Sequence, residues 1–173
     1  TLDAPLPSER FQAKLIGLQR VSPLRYGAWL GGRHDAGGDR YKIYVEVPTP
    51  DAASAQDLVR ASLGDDRLVV DRPYELRMVG YLPATRQMEL YFRGIHLQPY
   101  HLRLLLDRVG LGKRDQELVA AVNACCRYPR PRRWVIRKIG FSYTLAGDGT
   151  AVAFSFFVPA RKLFGSDASV RRG

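Results

Sequence analysis

Strict alternation of polar and apolar residues is the dominant signal along this chain. In Arg40-Tyr41-Lys42-Ile43-Tyr44-Val45-Glu46-Val47, one set reads Arg40, Lys42, Tyr44, Glu46 and the other Tyr41, Ile43, Val45, Val47. In Gln87-Met88-Glu89-Leu90-Tyr91-Phe92-Arg93, Gln87, Glu89, Tyr91 and Arg93 alternate with Met88, Leu90 and Phe92. Side chains of a strand point to opposite faces in turn, so each segment predicts a strand with one apolar and one polar face. The polar faces are not ordinary solvent faces of Lys, Glu, Ser and Thr. Arg, Lys, Tyr and Gln in front of apolar residues suit a polar cavity that holds a phosphorylated ligand.

The same pattern orders the chain. A strand over Leu24–Leu30, a Gly-rich connection Gly31–Asp39 and a return over Arg40–Val47 predict a hairpin, followed after Pro48-Thr49-Pro50 by a helix over Ala52–Leu63 capped by Asp51. A second pair runs from Tyr74 to Leu82, turns at Pro83-Ala84-Thr85 and returns from Gln87 to Arg93. Helices over Pro99–Val109 and Lys113–Arg127 follow, broken at Gly110-Leu111-Gly112, with Leu102, Leu105, Leu106 and Val109 on one face of the first. The third pair is Trp134–Leu145 and Ala151–Val158 around Gly147-Asp148-Gly149, and Arg161–Phe164 starts a last helix. Strand, strand, helical segment thus repeats, in units of about 24–63, 64–127 and 128–173. The expected class is α+β: antiparallel strands with helices on one side, a barrel or part of one, with a polar lumen if the sheet closes.

Composition narrows the partner. In 173 residues, 46% of them hydrophobic, 27 Lys and Arg stand against 17 Asp and Glu, a net charge of +10. This is one domain or part of one, and its partner is anionic: nucleic acid, a membrane surface or a phosphate-bearing small molecule. Arg forks match phosphate oxygens in pairs. Cys125 and Cys126, adjacent in a helical pattern, read as buried reduced thiols, and no Cys or His spacing completes a metal site. No stretch approaches the ~20 apolar residues of a membrane helix and no signal peptide opens the chain, so the expected location is cytoplasmic. Thr1 is not a natural start, which leaves room for residues before it.

Arg40-x-Lys42-x-Tyr44 carries most of the functional signal. Two cations and a phenol at strand pitch can hold a diphosphate by charge-assisted hydrogen bonds. A solvated strand edge could carry the same residues by chance, but the recurrence in Gln87, Glu89 and Tyr91 weighs against it. Glu89 repels a phosphate unless paired; Arg77, on the preceding strand with Tyr81 and Glu75, could neutralise it or reach the ligand itself. On the last strand Ala151, Ala153, Ser155 and Phe157 alternate with Val152, Phe154, Phe156 and Val158, so that small residues and Phe157 could wall an apolar tail, or simply pack. The basic run Arg127–Arg137, with Tyr128 and Trp134 interleaved, resembles a nucleic-acid patch, although its prolines favour a solvated linker. His34, His96 and His101 are scattered. No P-loop, dinucleotide glycine motif or nucleophile elbow is present, which favours phosphate binding on a strand face.

Arg40-x-Lys42-x-Tyr44 on one returning strand, then Gln87 and Tyr91 on the next, within this strand–helix rhythm, resembles the ABBA-fold aromatic prenyltransferases of the indole-prenylating type. That family builds αββα repeats around a barrel whose lumen holds the substrates. The resemblance implies transfer of an allylic prenyl group from its diphosphate to an indole or phenol by electrophilic substitution. It implies that Arg40, Lys42, Tyr44, Gln87 and Tyr91 bind the diphosphate, with Arg77, Tyr81, Glu89 and Phe157 as further lumen candidates. No metal or other cofactor is required on this reading: prenyl diphosphate is a co-substrate, and protein cations do the work of Mg²⁺. Three strand pairs against the family's five repeats match the C-terminal three, so the family's deprotonating acid would be missing and no catalytic base is assigned. Self-association or N-terminal repeats would then complete the barrel. Gln87 and Tyr91 also stand wider apart than the family's Gln-x-Tyr, and the last strand offers Phe where a Tyr would contact phosphate. The competing class is a non-catalytic basic module that tracks nucleic acid across its sheet.

Overall fold

The computed structural model describes residues 9–48, 57, 74–94, 98–125 and 139–159. Six strands form one antiparallel sheet in chain order: β1 (Ala28–Asp35), β2 (Gly38–Glu46), β3 (Tyr74–Leu82), β4 (Gln87–Gly94), β5 (Ile139–Leu145) and β6 (Ala151–Phe157). Every neighbouring pair is antiparallel, and among the described residues β1 does not pair with β6, so the described sheet is not closed. Helices α1 (Glu9–Val21), α2 (Pro99–Asp107) and α3 (Asp115–Cys125) complete the described elements, with short 3-10 turns at Pro83–Thr85 and Gly112–Arg114. No described helix is long and apolar enough to cross a membrane, which says nothing of strands.

The helices share one core with one face of the sheet. Phe11, Leu15 and Leu18 of α1 and Leu102 and Leu105 of α2 cluster with Val47, Leu76, Val79, Leu90, Phe92, Ile139, Phe141, Tyr143 and Leu145. The apolar stripes read from alternation therefore face the helices, and burying them drives the layer packing. Tyr41 and Val152 are exceptions: Tyr41, near the β1–β2 turn, is 42% exposed and lies against the His34 ring, and Val152, beside a register shift between β5 and β6, is 52% exposed. The phenol of Tyr143, on β5, donates at 2.7 Å to the carbonyl of Leu105 in the last turn of α2, fixing that helix to the sheet. Gly110 ends α2 with φ of +71°: its N–H meets the Asp107 carbonyl and that of Leu111 meets Leu106, a pairing that needs a left-handed residue between helix and exit.

Several expectations are corrected. Helix α1 adds to the expected elements, and its basis is visible in the sequence: Phe11, Leu15 and Leu18 recur at helical spacing between an acidic first turn and a basic last turn. The first strand begins at Ala28 rather than Leu24. The glycine-rich stretch 31–39 is not a connection: Gly31–Asp35 and Gly38–Asp39 pair in the β1–β2 ladder, and only Ala36-Gly37 turns. The helix expected from Lys113 begins at Asp115, after the 3-10 turn. The helix over Ala52–Leu63 lies outside the described residues apart from Asp57, and so do the start of the third pair at Trp134, the segment from Arg161 and the basic run Arg127–Arg137.

Tyr81 is also corrected. The β3–β4 register slips by one residue between Leu76 and Met78, a bulge at Arg77. Strict alternation would put Arg77 and Tyr81 on the polar face; the extra residue inverts every position after it. Met78 and Gly80 therefore stand opposite Tyr91 and Glu89, while Tyr81, 7% exposed, stands between Ile43 and Met88 on the apolar side.

Candidate functional site

The face away from the helices gathers Lys42 and Tyr44 of β2, Glu89 and Tyr91 of β4, Ser142 of β5 and Phe157 of β6. Register accounts for this: Tyr91 is opposite Ser142 and Glu89 opposite Gly80, and Gly140 is opposite both Arg93 and Phe157. Lys42 reaches across β3 to β4, where its ammonium pairs with the Glu89 carboxylate and donates to the Tyr91 phenol at 2.9 Å. Gly80 makes that crossing possible. A Cβ there would overlap the end of the Lys42 side chain and sit 3.2 Å from the Tyr91 ring.

The pair is largely withdrawn from water, the side chains of Lys42 and Glu89 being 17% and 14% exposed. Ser142 Oγ donates to Glu89 Oε1 at 2.6 Å. Burial would raise the Glu89 carboxyl, but hydrogen bonds from Lys42, Ser142 and Tyr91 outweigh it and hold the group below its ordinary value of 4.5. Burial first, and then its hydrogen bond to Glu89 and the charge there, push the Tyr91 phenol far above its usual range, so it stays protonated.

Rings surround the ammonium. Lys42 Nζ lies 5.2 Å from the ring centroids of both Tyr44 and Tyr91, inside cation–π range. Trp29 of β1 stacks on Tyr44 at 5.6 Å with an interplanar angle of 13°; Tyr44 leads to Tyr91 at 6.2 Å and Tyr91 to Phe157 at 6.3 Å. An aromatic row thus crosses from β1 to β6 over a buried ion pair. Trp29 is not among the sequence candidates, because the stretch around it has no clean alternation. Glu46 serves elsewhere. Its carboxylate accepts the backbone N–H groups of Arg25, Tyr26 and Gly27 at 3.2, 2.6 and 2.9 Å, anchoring the entry to β1. Those bonds, Tyr26 first, outweigh desolvation and lower its pKa.

Of the sequence candidates, Lys42, Tyr44, Tyr91, Glu89 and Phe157 come together. Arg40 does not join them, being paired with Asp35 at the hairpin tip. Gln87 shares the face but begins β4 and accepts from the Thr85 hydroxyl at 3.2 Å. Arg77, at the bulge, lies 3.7 Å from Glu75, which Arg93 also approaches at 3.8 Å. Among the described residues no group of three or more His, Cys, Asp or Glu could hold a metal ion. A separate cleft of about 420 Å³ lies on the helix side, lined by Leu106, Leu118, Phe154 and Phe156 among others, away from this chemistry.

No family model matches the sequence, and no curated protein matches it. Solved structures do, and they define the class of fold: the chain has the fold of about half of an aromatic prenyltransferase. The 5-dimethylallyl tryptophan synthase from Streptomyces coelicolor, in complex with DMASPP and Trp, aligns with a TM-score of 0.63 at 12% identity, over 94% of this chain and 49% of its own. The prenyltransferase PriB, in its apo form, aligns at 0.62 and 13% identity over 95% and 50%. A second structure of the Streptomyces coelicolor synthase gives 0.58 and 15% over 94% and 50%. The six strands, with helices on one side, form the expected α+β part-barrel.

Proposed function

We propose that this chain is part of an aromatic prenyltransferase, and that the face carrying Lys42, Tyr44 and Tyr91 binds a prenyl diphosphate such as the dimethylallyl or geranyl ester. The observation that supports this reading most is the ammonium of Lys42 set between Tyr44 and Tyr91, whose rings are in turn stacked by Trp29 and Phe157. The fold shared with two named prenyltransferases supports it independently.

In the proposed reaction the allylic C–O bond breaks and the departing diphosphate takes the bond's electron pair. Lys42 stabilises the charge that accumulates on its oxygens, a role that needs no divalent ion. The rings shield the allylic cation from water through their π faces. An arene carbon then forms the new C–C bond and releases its proton to a base. Gln87 orients the phosphates from the start of β4, and Arg40 joins only if Asp35 releases it. Three strand pairs, in units of about 24–63, 64–127 and 128–173, would form part of the lumen, with further strands needed against β1 and β6.

The test is turnover of the protein at its natural length with dimethylallyl diphosphate and tryptophan or a phenol, in EDTA, read by mass spectrometry. A covalent prenyl adduct on the arene is expected. No adduct with any aromatic acceptor, combined with tight and steeply salt-dependent oligonucleotide binding, would replace this reading with the nucleic-acid module.

A further inference from the structure

We propose that Glu89 is a built-in competitor for the ligand's diphosphate: it holds the Lys42 ammonium until phosphate oxygens displace it. The inference rests on the prenyl diphosphate reading above and concerns what sets affinity at that site.

The geometry makes Glu89 more than a neighbour. Its carboxylate contacts the ammonium directly, and Ser142 Oγ, donating at 2.6 Å, keeps it in place. An ammonium has three donors. Glu89 and Tyr91 engage two of them, so a diphosphate that needs more than one must displace one of these partners, and of the two only Glu89 carries a charge that competes with it. The Cα partners of Glu89 are Gly80 and Thr144, and neither adds charge. Lys42 and Glu89 together are therefore neutral, and the ligand meets the field of a dipole rather than that of a free cation. Elsewhere on the face Arg40 is paired with Asp35, and Arg77 and Arg93 stand near Glu75.

The experiment is calorimetry of inorganic pyrophosphate against the intact protein, in EDTA at fixed ionic strength. Wild type is compared with Glu89→Gln, Lys42→Met and the double variant. Glu89→Gln should bind about tenfold tighter or more than wild type, a gain that a damaged fold cannot produce. In the Lys42→Met background the same substitution should gain clearly less, only the relief of repulsion by an unpaired Glu89, because the contested ammonium is gone. Thermal unfolding verifies folding, and Glu89→Ala replaces Glu89→Gln if the latter does not fold. Unchanged or weaker binding by Glu89→Gln, with wild-type binding still dependent on Lys42, overturns the competitor role and leaves the diphosphate reading standing. A gain as large in the double variant as in Glu89→Gln alone identifies plain repulsion and also overturns it. Absence of binding by all of these folded proteins overturns both.

Discussion

Lys42 and Tyr91 meet across an intervening strand: Nζ donates to the phenol oxygen at 2.9 Å, although 49 residues and the whole of β3 separate them. The gap they bridge is the missing side chain of Gly80. Gly80→Ala should push Lys42 off β4 while leaving the core face untouched, since the clash falls on the flexible end of a lysine. The expected outcome is weaker diphosphate binding with an unfolding free energy lowered by about 1–3 kcal/mol, because Glu89 loses its ammonium. Denaturation and calorimetry on one preparation check it; unaltered ligand affinity would show that the crossing position of Lys42 is not what matters.

Acid should loosen the fold through two carboxylates. Glu46 and Glu89 both lie below the ordinary value of 4.5 in the folded protein. Groups with depressed folded values contribute stability that is fully present above the unfolded value and is lost as pH falls through the folded one. Thermal midpoints should therefore hold near neutrality and drop below about pH 4.5, and Glu89→Gln should lessen the drop. A wild-type midpoint unchanged down to about pH 3 would contradict this.

How much of the molecule is legible in the sequence depends on what each feature requires. β3 and its turn, and the β4 strand to within one residue, follow from alternation and from Pro83, and the break after α2 from Gly110. The grouping of Lys42 with Tyr44 needs only period two. The Lys42–Glu89 pair needs the β2–β3–β4 register, which no local pattern specifies. Alternation misplaces Tyr81 because a single bulged residue, Arg77, reverses the face of everything after it, and nothing in Leu76-Arg77-Met78 announces a bulge. The β1–β2 hairpin is obscured because Gly31 and Gly32 look like loop, whereas Gly31 lies close under the Tyr44 ring, where an added Cβ would sit 3.0 Å from it. α1 is different: the spacing of Phe11, Leu15 and Leu18 is enough to predict it.

The bond from Tyr143 to the Leu105 carbonyl joins α2 to the sheet in a buried setting. Tyr143→Phe leaves that carbonyl without this donor and should destabilise the fold by about 1–2 kcal/mol, seen as a lower urea midpoint at unchanged m. Because the phenol lies on the helix side, diphosphate affinity of the folded variant should not move. A loss of affinity would mean that the two faces are coupled.

Residues 1–173 prepared by themselves should not turn over. Among the described residues nothing pairs with the outer edges of β1 and β6, so the face around the Lys42–Glu89 pair is not enclosed, and water reaching it would quench an allylic cation. Mass in solution and turnover measured together test this. Activity in a stable monomer of these residues would contradict it, while activity that appears only in an assembly would support it.

Whether Lys42 and its surrounding rings hold a prenyl diphosphate is tested most directly by calorimetry of a dimethylallyl thiolodiphosphate with wild type and Lys42→Ala, in EDTA. Binding should survive the chelator and weaken by roughly 1.5–3 kcal/mol in the variant, the range for a hydrogen bond to a charged group. Equal affinity in both proteins, or no binding by folded wild type, would contradict it.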